Sequence, residues 1–292
     1  MLSIENLTHV YANGTRALDS VTLEIPRGMF GLLGPNGAGK SSLMRCLATL
    51  QIPSSGAIRF DDIDVVKNPT ALRRTLGYLP QDFGVYPRVS AVALLDHLAI
   101  LKGITKRAER KATIDALLHQ VNLWDERKKA IAGFSGGMRQ RFGIAQALIG
   151  NPSLIIVDEP TAGLDPEERN RFLNLLSEIG ENTVVILSTH IVEDVSNLCQ
   201  RVGIIAGGKI VATGMPAQMI ASLEGRLWRK TVDRKHLDAY KIRHEIISTR
   251  LQGGQTIIHV LADKLPGPGF DPVSGGLEDV YFTTLSTTRR AA

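Results

Sequence analysis

The chain has 292 residues, of which 43% are apolar, 22% are charged and two are cysteines. This composition supplies a buried core and excludes wholesale disorder, and two distant cysteines exclude a disulfide scaffold and indicate a reducing compartment. The net charge of +5 is concentrated in residues 226–250, which hold eight Lys and Arg against three Asp and Glu. We interpret this basic segment as a solvated face, with anionic lipid or an acidic partner surface as alternatives; nucleic acid is not expected.

Neither a secretory signal nor a membrane-spanning segment is predicted. The first ten residues, MLSIENLTHV, lack the basic and apolar regions of a signal peptide. No apolar run reaches the roughly 18 residues that a bilayer-spanning helix needs. We therefore expect a soluble cytoplasmic chain.

The first two thirds of the chain alternate between strand and helix patterns. Residues 2–7 and 21–25 alternate as strands do, and the apolar run at 29–33 precedes a helical stretch from about Lys40. Further apolar runs, separated mainly by helical patterns, lie at 154–157, 184–187 and 202–206. This alternation predicts an α/β fold, in which a parallel sheet is covered by helices on both faces.

Two segments depart from that alternation. Residues from about 83 to 150 have a helical pattern without a strand, which predicts a helical insertion. Residues 244–251 and 255–262 flank a Gly-Gly pair and predict a β-hairpin, followed by a turn-rich linker at 265–272. A final amphipathic stripe is expected to dock on the protein's own surface; it comprises Leu277, Val280, Tyr281 and Leu285.

These patterns predict two units, a main domain over residues 1–225 and a small α+β appendage over 226–292. Within the main domain we expect an N-terminal antiparallel β subdomain and the helical insertion. Docking, dimer support and regulation are all open roles for the appendage.

A glycine-rich loop carries the strongest functional signal. It matches G-x-x-x-x-G-K-[ST] in full, after a strand and at the start of a helix. Glycines let successive backbone N–H groups wrap a phosphate, the lysine reaches the β- and γ-phosphates, and the serine hydroxyl ligates Mg²⁺. The predicted nucleotide-binding residues are Gly34, Pro35, Asn36, Gly37, Ala38, Gly39, Lys40, Ser41 and Ser42.

Two carboxylates follow the apolar run at 154–157. Asp158 and Glu159 come at the point where a parallel strand ends, which is where open α/β sheets bind their ligands. Asp158 is expected to bind Mg²⁺ and Glu159 to orient or deprotonate the attacking water. Together with the glycine-rich loop, this pair predicts a P-loop NTPase core.

Four further elements follow in a fixed order and narrow the class. Gln81 follows a strand-like run, Phe134-Ser135-Gly136-Gly137-Met138 opens a helix, Ala162-Gly163-Leu164-Asp165 follows the carboxylates, and His190 closes the run at 184–189. In this order the chain resembles the ATP-binding cassette (ABC) family over roughly residues 1–225.

The resemblance implies roles for single residues around ATP. Tyr11 would stack on adenine, although a single aromatic residue near a strand end also suits the rim of a core. Gln81 would contact Mg²⁺ or the water and sense a transmembrane partner. His190 would hold the γ-phosphate, although a single histidine before a helix also suits a cap or a surface position.

The resemblance also implies a dimer. Ser135, Gly136 and Gly137 would face the γ-phosphate of ATP bound to a second cassette subunit, identical or paralogous, and Asp165 would lie at the interface. Met138 and Phe134 stand where the family usually has Gln and Leu. Because Ser135, both glycines, Glu159 and His190 are all present, we expect an active ATPase that uses ATP and Mg²⁺.

The resemblance further implies integral membrane permease subunits as partners, which would hold this chain at the cytoplasmic face of the cell membrane. The apolar loop at 82–87 either packs inward or receives a helix of such a subunit. The ending Leu277-Glu278-Asp279-Val280-Tyr281 resembles that of cassettes in prokaryotic exporters of drugs, antibiotics or lipids. Export is therefore the expected function. The alternatives are import, and a non-transport ATPase that acts on the ribosome, on DNA or in cofactor assembly.

Overall fold

The structure is a computed structural model and describes residues 1–81, 84, 88–161, 164–180 and 183–291. Within these residues the strands are β1 (Leu2–Val10), β2 (Arg16–Ile25), β3 (Gly28–Leu33), β4 (Ser55–Phe60), β5 (Ile63–Asp64), β6 (Leu76–Leu79), β7 (Leu154–Asp158), β8 (Val184–Thr189), β9 (Arg201–Ala206), β10 (Lys209–Gly214), β11 (Leu227–Val232), β12 (Ile246–Gln252), β13 (Gln255–Leu261) and β14 (Asp271–Pro272). The helices are α1 (Lys40–Leu47), α2 (Pro69–Thr75), α3 (Ala91–Leu101), α4 (Arg107–Gln120), α5 (Gly136–Leu148), α6 (Pro166–Ile179), α7 (Val192–Leu198), α8 (Pro216–Ala221), α9 (Leu237–Arg243) and α10 (Leu277–Ala291).

The central sheet positions the functional loops. In the described residues its order is β10-β9-β3-β8-β7-β6, and all neighbouring strands are parallel except β9 and β10. Leu33 at the end of β3 pairs with Thr189, and Asp158 at the end of β7 pairs with Ser188. The carboxyl ends of β3, β8 and β7 therefore lie side by side, and the loops that follow them share one edge.

A second, antiparallel sheet with the order β2-β1-β4-β5 forms the N-terminal part of the molecule. Its inward side chains, including Leu2, Ile4 and Leu23, pack in one apolar cluster with α1 and one face of the central sheet. A second cluster joins the opposite face to α3, α4, α5, α6 and α7. The central strands are buried on both faces, which explains the continuous apolar runs in β3, β7 and β8.

The predicted fold class is confirmed, and helices α3, α4 and α5 lie within the helical pattern at about 83–150. The C-terminal sheet has the order β12-β13-β11-β14, with the predicted hairpin between β12 and β13. One expectation is wrong in part: the turn-rich linker at 265–272 ends in a short strand, where Pro272 pairs with Trp228. A proline is compatible with this position because β14 lies at the sheet edge.

The last helix docks as predicted. Leu277, Val280, Tyr281 and Leu285 are at most 9% exposed and belong to the same apolar cluster as Val195 of α7. The tail is thus part of the main core, whereas α9 and its sheet enclose a small core of their own. Among the described residues, no helix is both long enough and apolar enough to cross a membrane.

Candidate active site

The glycine-rich loop leads from β3 into α1 through backbone conformations that only glycine adopts readily. Gly37 has φ +79° and Gly39, the residue that caps α1, has φ +106°. A Cβ atom at Gly39 would come within 2.5 Å of the Ala17 carbonyl oxygen. The loop therefore needs glycine for both its curvature and its close packing against β2.

Lys40 is the first residue of α1 and is 6% exposed. Its Nζ donates to the carbonyl oxygens of Gly34 at 2.7 Å and Pro35 at 3.3 Å, so the ammonium lies within the loop. It also lies 3.3 Å from Oε1 of Glu159. A buried ammonium in this place suits a phosphate oxygen, which would replace these partners.

Glu159 joins the lysine to the end of β8. Its backbone has φ +50°, a strained conformation for a glutamate, and its N–H donates to the carbonyl of Ser188 at 2.8 Å. Its Oε2 lies 2.7 Å from Nδ1 of His190. Lys40, Glu159 and His190 thus form one continuous polar chain, with His190 half exposed at the outer end.

Asp158 lies behind this chain and is 3% exposed. Burial raises the pKa of its carboxyl; Glu159 raises it further, while the Ser188 and Ser41 hydroxyls and Lys40 lower it only in part. Its buried Oδ1 has no hydrogen-bond partner among the described residues. An unpartnered carboxylate oxygen beside a serine hydroxyl fits a hard divalent cation, so Asp158 and Ser41 are suited to Mg²⁺, with Gln81 at the cavity wall.

A cavity of about 400 Å³ opens in front of the loop. Its walls include most of the predicted site residues and three that no motif indicated: Tyr11, Thr15, Arg16, Ala17, Pro35, Asn36, Gly37, Gly39, Lys40, Ser41, Ser42, Gln81, Glu159 and His190. The Tyr11 hydroxyl is 2.8 Å from Oγ of Ser42. Thr15 lies in the β1–β2 turn, and Arg16 and Ala17 lie at the start of β2. A contact of that kind leaves no spacing signal in the sequence.

Three predicted residues lie near the cavity without lining it. Gly34 contributes the carbonyl that accepts from Lys40, and Ala38 is a buried residue of the same loop. Asp158 is buried, and the Ser41 hydroxyl is close enough to lower the pKa of its carboxyl. Each of these positions supports the cavity rather than forming its surface.

The structure does not bring the signature residues to this cavity. Ser135 caps α5 by accepting from the Met138 N–H at 3.2 Å, and Asp165 caps α6 by accepting from the Glu168 N–H at 2.9 Å. Ser135, Gly136 and Asp165 are exposed, and Gly137 packs on Glu168, so the two helix starts are neighbours. The expected docking loop at 82–87, except Gly84, and Ala162 and Gly163 lie outside the described residues.

Comparisons with known proteins decide the family. The profile of the family described as "ABC transporter" matches residues 18–162. The linearmycin resistance ATP-binding protein LnrL of Bacillus subtilis is 35% identical over 227 residues, covering 77% of this chain and 72% of that protein. The chain belongs to the ABC transporter family.

Other relatives of this ABC protein are named for drug resistance or for import. The daunorubicin/doxorubicin resistance protein DrrA of Streptomyces peucetius is 34% identical, covering 78% of this chain and 69% of that protein. The methionine import protein MetN of Vibrio cholerae is 32% identical, covering 89% and 79% respectively. This chain is therefore an ATP-binding subunit of the kind that powers transport.

The solved cassettes establish the chemistry of the ABC fold. The dimeric structure of MJ0796, described as a bacterial ABC transporter cassette, aligns with TM-score 0.68 and 27% identity over 74% of this chain and 98% of that one. The same cassette has been solved as a post-hydrolysis dimer bound to ADP and Pi. The present ABC subunit is an ATPase, and it binds and hydrolyses ATP.

Proposed function

We propose that this ABC subunit powers export through separate transmembrane subunits, by closing as a dimer on two ATP molecules and reopening after hydrolysis. The observation that carries the catalytic part is the continuous series of polar contacts from the buried Lys40 and Glu159 to the half-exposed His190. It places a cation, a carboxylate and an imidazole along the wall of one cavity, where a triphosphate needs them.

Each of these side chains has a distinct role in the proposal. Loop N–H groups and Lys40 bind the β- and γ-phosphates, and Glu159 accepts a proton from the attacking water or orients it. His190 holds the γ-phosphate and fixes the Glu159 carboxylate through their 2.7 Å contact. Mg²⁺, held by Ser41, Asp158 and Gln81, would neutralise charge on the phosphates when bound.

The dimer proposal rests on the exposed starts of α5 and α6. A helix N-terminus with exposed N–H groups binds anions, and the one capped by Ser135 lies away from this chain's own cavity. A second copy or paralogue would supply these groups to the γ-phosphate, with Asp165 beside them. ATP would then join the two subunits, and hydrolysis would separate them.

An exposed apolar surface supports the permease partner. Leu50, Ile52 and Leu101 are 62%, 80% and 70% exposed. Leu50 and Leu101 line a largely apolar cavity of about 370 Å³ between the segment that follows α1, strand β6 and the end of α3, and Tyr78 lines it as well. Exposed leucines around a groove favour a helix of another subunit.

Export is favoured because LnrL and DrrA are resistance proteins. Import is the second candidate, since the match with MetN extends over 89% of this chain and therefore into the appendage. Doxorubicin and methionine are suitable probes. ATP-dependent doxorubicin accumulation in everted vesicles supports export, and methionine uptake in right-side-out vesicles supports import.

Affinity purification from detergent-solubilised membranes tests the transport assignment. We expect a stoichiometric multi-span membrane protein with the wild type, and its loss with the double variant Leu50→Ser/Leu101→Ser. Ile242→Ser, which changes an 86% exposed residue of the appendage, is the matched control and should retain the partner. A wild-type chain that brings down no membrane protein contradicts the proposal.

A further inference from the structure

A buried carboxylate outside the family motifs lies behind the active site. Asp194, on α7, has 0% exposure. Its Oδ2 accepts a hydrogen bond from Oγ1 of Thr161 at 2.6 Å, and its Oδ1 accepts one from Nε of Arg169 at 2.7 Å. Both oxygens of the carboxylate are thus held by short bonds, as a buried charge requires.

The bond to Thr161 connects the segments that follow β7 and β8. Thr161 is 3% exposed and lies two residues after Glu159. The helix that carries Asp194 begins at Val192, two residues after His190. One hydrogen bond therefore fixes the loop of the carboxylate relative to the loop of the imidazole.

The bond to Arg169 adds a third segment. Arg169 lies one turn into α6, the helix that Asp165 caps, and its Nη2 also reaches Oε2 of Glu193 at 3.1 Å. Asp194 is consequently the point at which the segments that carry Glu159, His190 and Asp165 meet. Because Asp194 is completely buried, Arg169 also supplies the countercharge that offsets its desolvation.

We propose that Asp194 is a positioning residue for ATP hydrolysis, holding Glu159 and His190 in the register that gives their 2.7 Å contact. This inference rests on the catalytic roles assigned to Glu159 and His190 under the proposed function. A displacement of about 1 Å at a catalytic group can lower a rate about 100-fold. In the part of the chain that the structure describes, the side-chain hydrogen bonds of Thr161 and Asp194 reach neither the glycine-rich loop nor Tyr11. We therefore expect loss of positioning to lower kcat much more than it changes ATP affinity.

Thr161 offers the sharpest test, because valine removes its hydroxyl with little change of shape and serine keeps the hydroxyl. We expect Thr161→Val to lower kcat about tenfold or more, and Thr161→Ser to retain most of it. ATP affinity, measured with a fluorescent ATP analogue, should stay within about twofold of the wild type in both variants. If the Thr161–Asp194 bond had a purely structural role, Thr161→Val would lower the Tm, and kcat and ATP affinity would fall together.

Asp194→Asn and the double variant Thr161→Val/Asp194→Asn, measured with Thr161→Val and the wild type, complete a double-mutant cycle. We expect the double variant to lose no more kcat than Asp194→Asn by itself, because both changes break one link. Glu193→Gln is the matched control: it removes the other carboxylate that Arg169 contacts, whose side chain is 72% exposed, and should change kcat less than about twofold.

The result that overturns the inference is wild-type kcat in Thr161→Val, or losses that add fully in the double variant. Glu159→Gln measured in parallel separates the two levels of the argument. If Glu159→Gln retains turnover, the catalytic assignment itself is wrong. If it abolishes turnover while Thr161→Val does not, the error lies in the role of Asp194.

Discussion

Lys40 and Glu159 form a buried ion pair across the cavity, with Nζ 3.3 Å from Oε1 and both side chains at most 8% exposed. The lysine that should bind phosphate is therefore occupied by the carboxylate that should activate water. If Lys40 binds the phosphates as proposed, ATP would displace Glu159 from it on entering the loop. Under the proposed roles of these two residues, nucleotide binding would itself release the carboxylate for catalysis.

Glu159→Gln should abolish turnover without weakening ATP binding. The amide cannot accept a proton from water, so we expect at least about 100-fold slower hydrolysis. Removing the negative charge also frees Lys40, so ATP affinity should equal or exceed that of the wild type. Steady-state ATPase assays and equilibrium binding test both points, with the exposed Glu167→Gln as control. Wild-type turnover in Glu159→Gln would falsify the assignment.

Tyr11 should bind the nucleotide mainly through its ring. Its hydroxyl contacts Ser42 at 2.8 Å within the protein, so Tyr11→Phe removes that bond and keeps the aromatic face. We expect Tyr11→Phe to change the Kd for ATP less than about threefold and Tyr11→Ala to weaken it about tenfold, as loss of a stacked base does. Equal Kd values for the two variants would show that the ring does not stack.

Asp158 should cost stability in the absence of Mg²⁺. Its native pKa is raised, chiefly by burial, so its contribution to stability is present below its unfolded pKa and lost as the pH rises through the native value. Asp158→Asn should therefore raise the Tm of the nucleotide-free protein at neutral pH by a few degrees and lose the additional stabilisation by Mg-ATP. Differential scanning calorimetry measures both effects.

The exposed Asp62→Asn is the matched control for that measurement and should leave the Tm unchanged. A lower Tm in Asp158→Asn would show that the carboxylate is already stabilised by partners within the protein. A normal response of Asp158→Asn to Mg-ATP would remove Asp158 from the proposed metal site.

Asp279 should stabilise the docked tail in a pH-dependent way. Burial raises the pKa of its carboxyl, but hydrogen bonds from His259 and the Gly276 N–H, with the charge of Arg250, outweigh it and leave the pKa lowered. The stability that the Asp279 carboxylate contributes is fully present above the ordinary aspartate pKa of 3.8, and it is lost as the pH falls through the lower native pKa. Urea unfolding should show Asp279→Asn about 1–3 kcal/mol less stable at neutral pH.

The difference between wild type and Asp279→Asn should shrink on acidification below the ordinary aspartate value. Glu278→Gln is the matched control, since Glu278 is the next residue in the chain and its carboxylate is 46% exposed and bonded to Arg250 on the surface. It should cost less than about 1 kcal/mol. A difference that stays constant from neutral pH to pH about 3 would argue against the charge as the source of the stability.

The parts of the site that could be predicted from the sequence are those encoded by contiguous residues. The loop from Gly34 to Ser41 has a fixed geometry because its glycines and the start of α1 are neighbours in the chain. Asp158 and Glu159 were predictable because an apolar strand ends at that point. In both cases the local conformation determines where the functional groups lie.

The remaining parts depend on contacts between distant residues. The pairing of Thr161 with Asp194 requires the strand order that places β8 beside β7, and no spacing in the sequence specifies it. Strand β11 was not predicted, because its basic residues Arg229 and Lys230 resemble a solvated segment. Its pairing with β13 in the folded sheet supplies the hydrogen bonds that make it a strand.

Docking of α10 in the main core determines when an apolar surface becomes covered during synthesis of the chain. The ribosome synthesises β9 and α7 well before α10, so a nascent chain can form its ATP cavity while the surface that receives Leu277, Val280 and Tyr281 is still bare. A chain that is cut within the appendage would retain every catalytic residue and yet expose this apolar surface. Such a product should be recovered in aggregates or bound to chaperones. During translation, the same surface stays exposed until α10 has been synthesised.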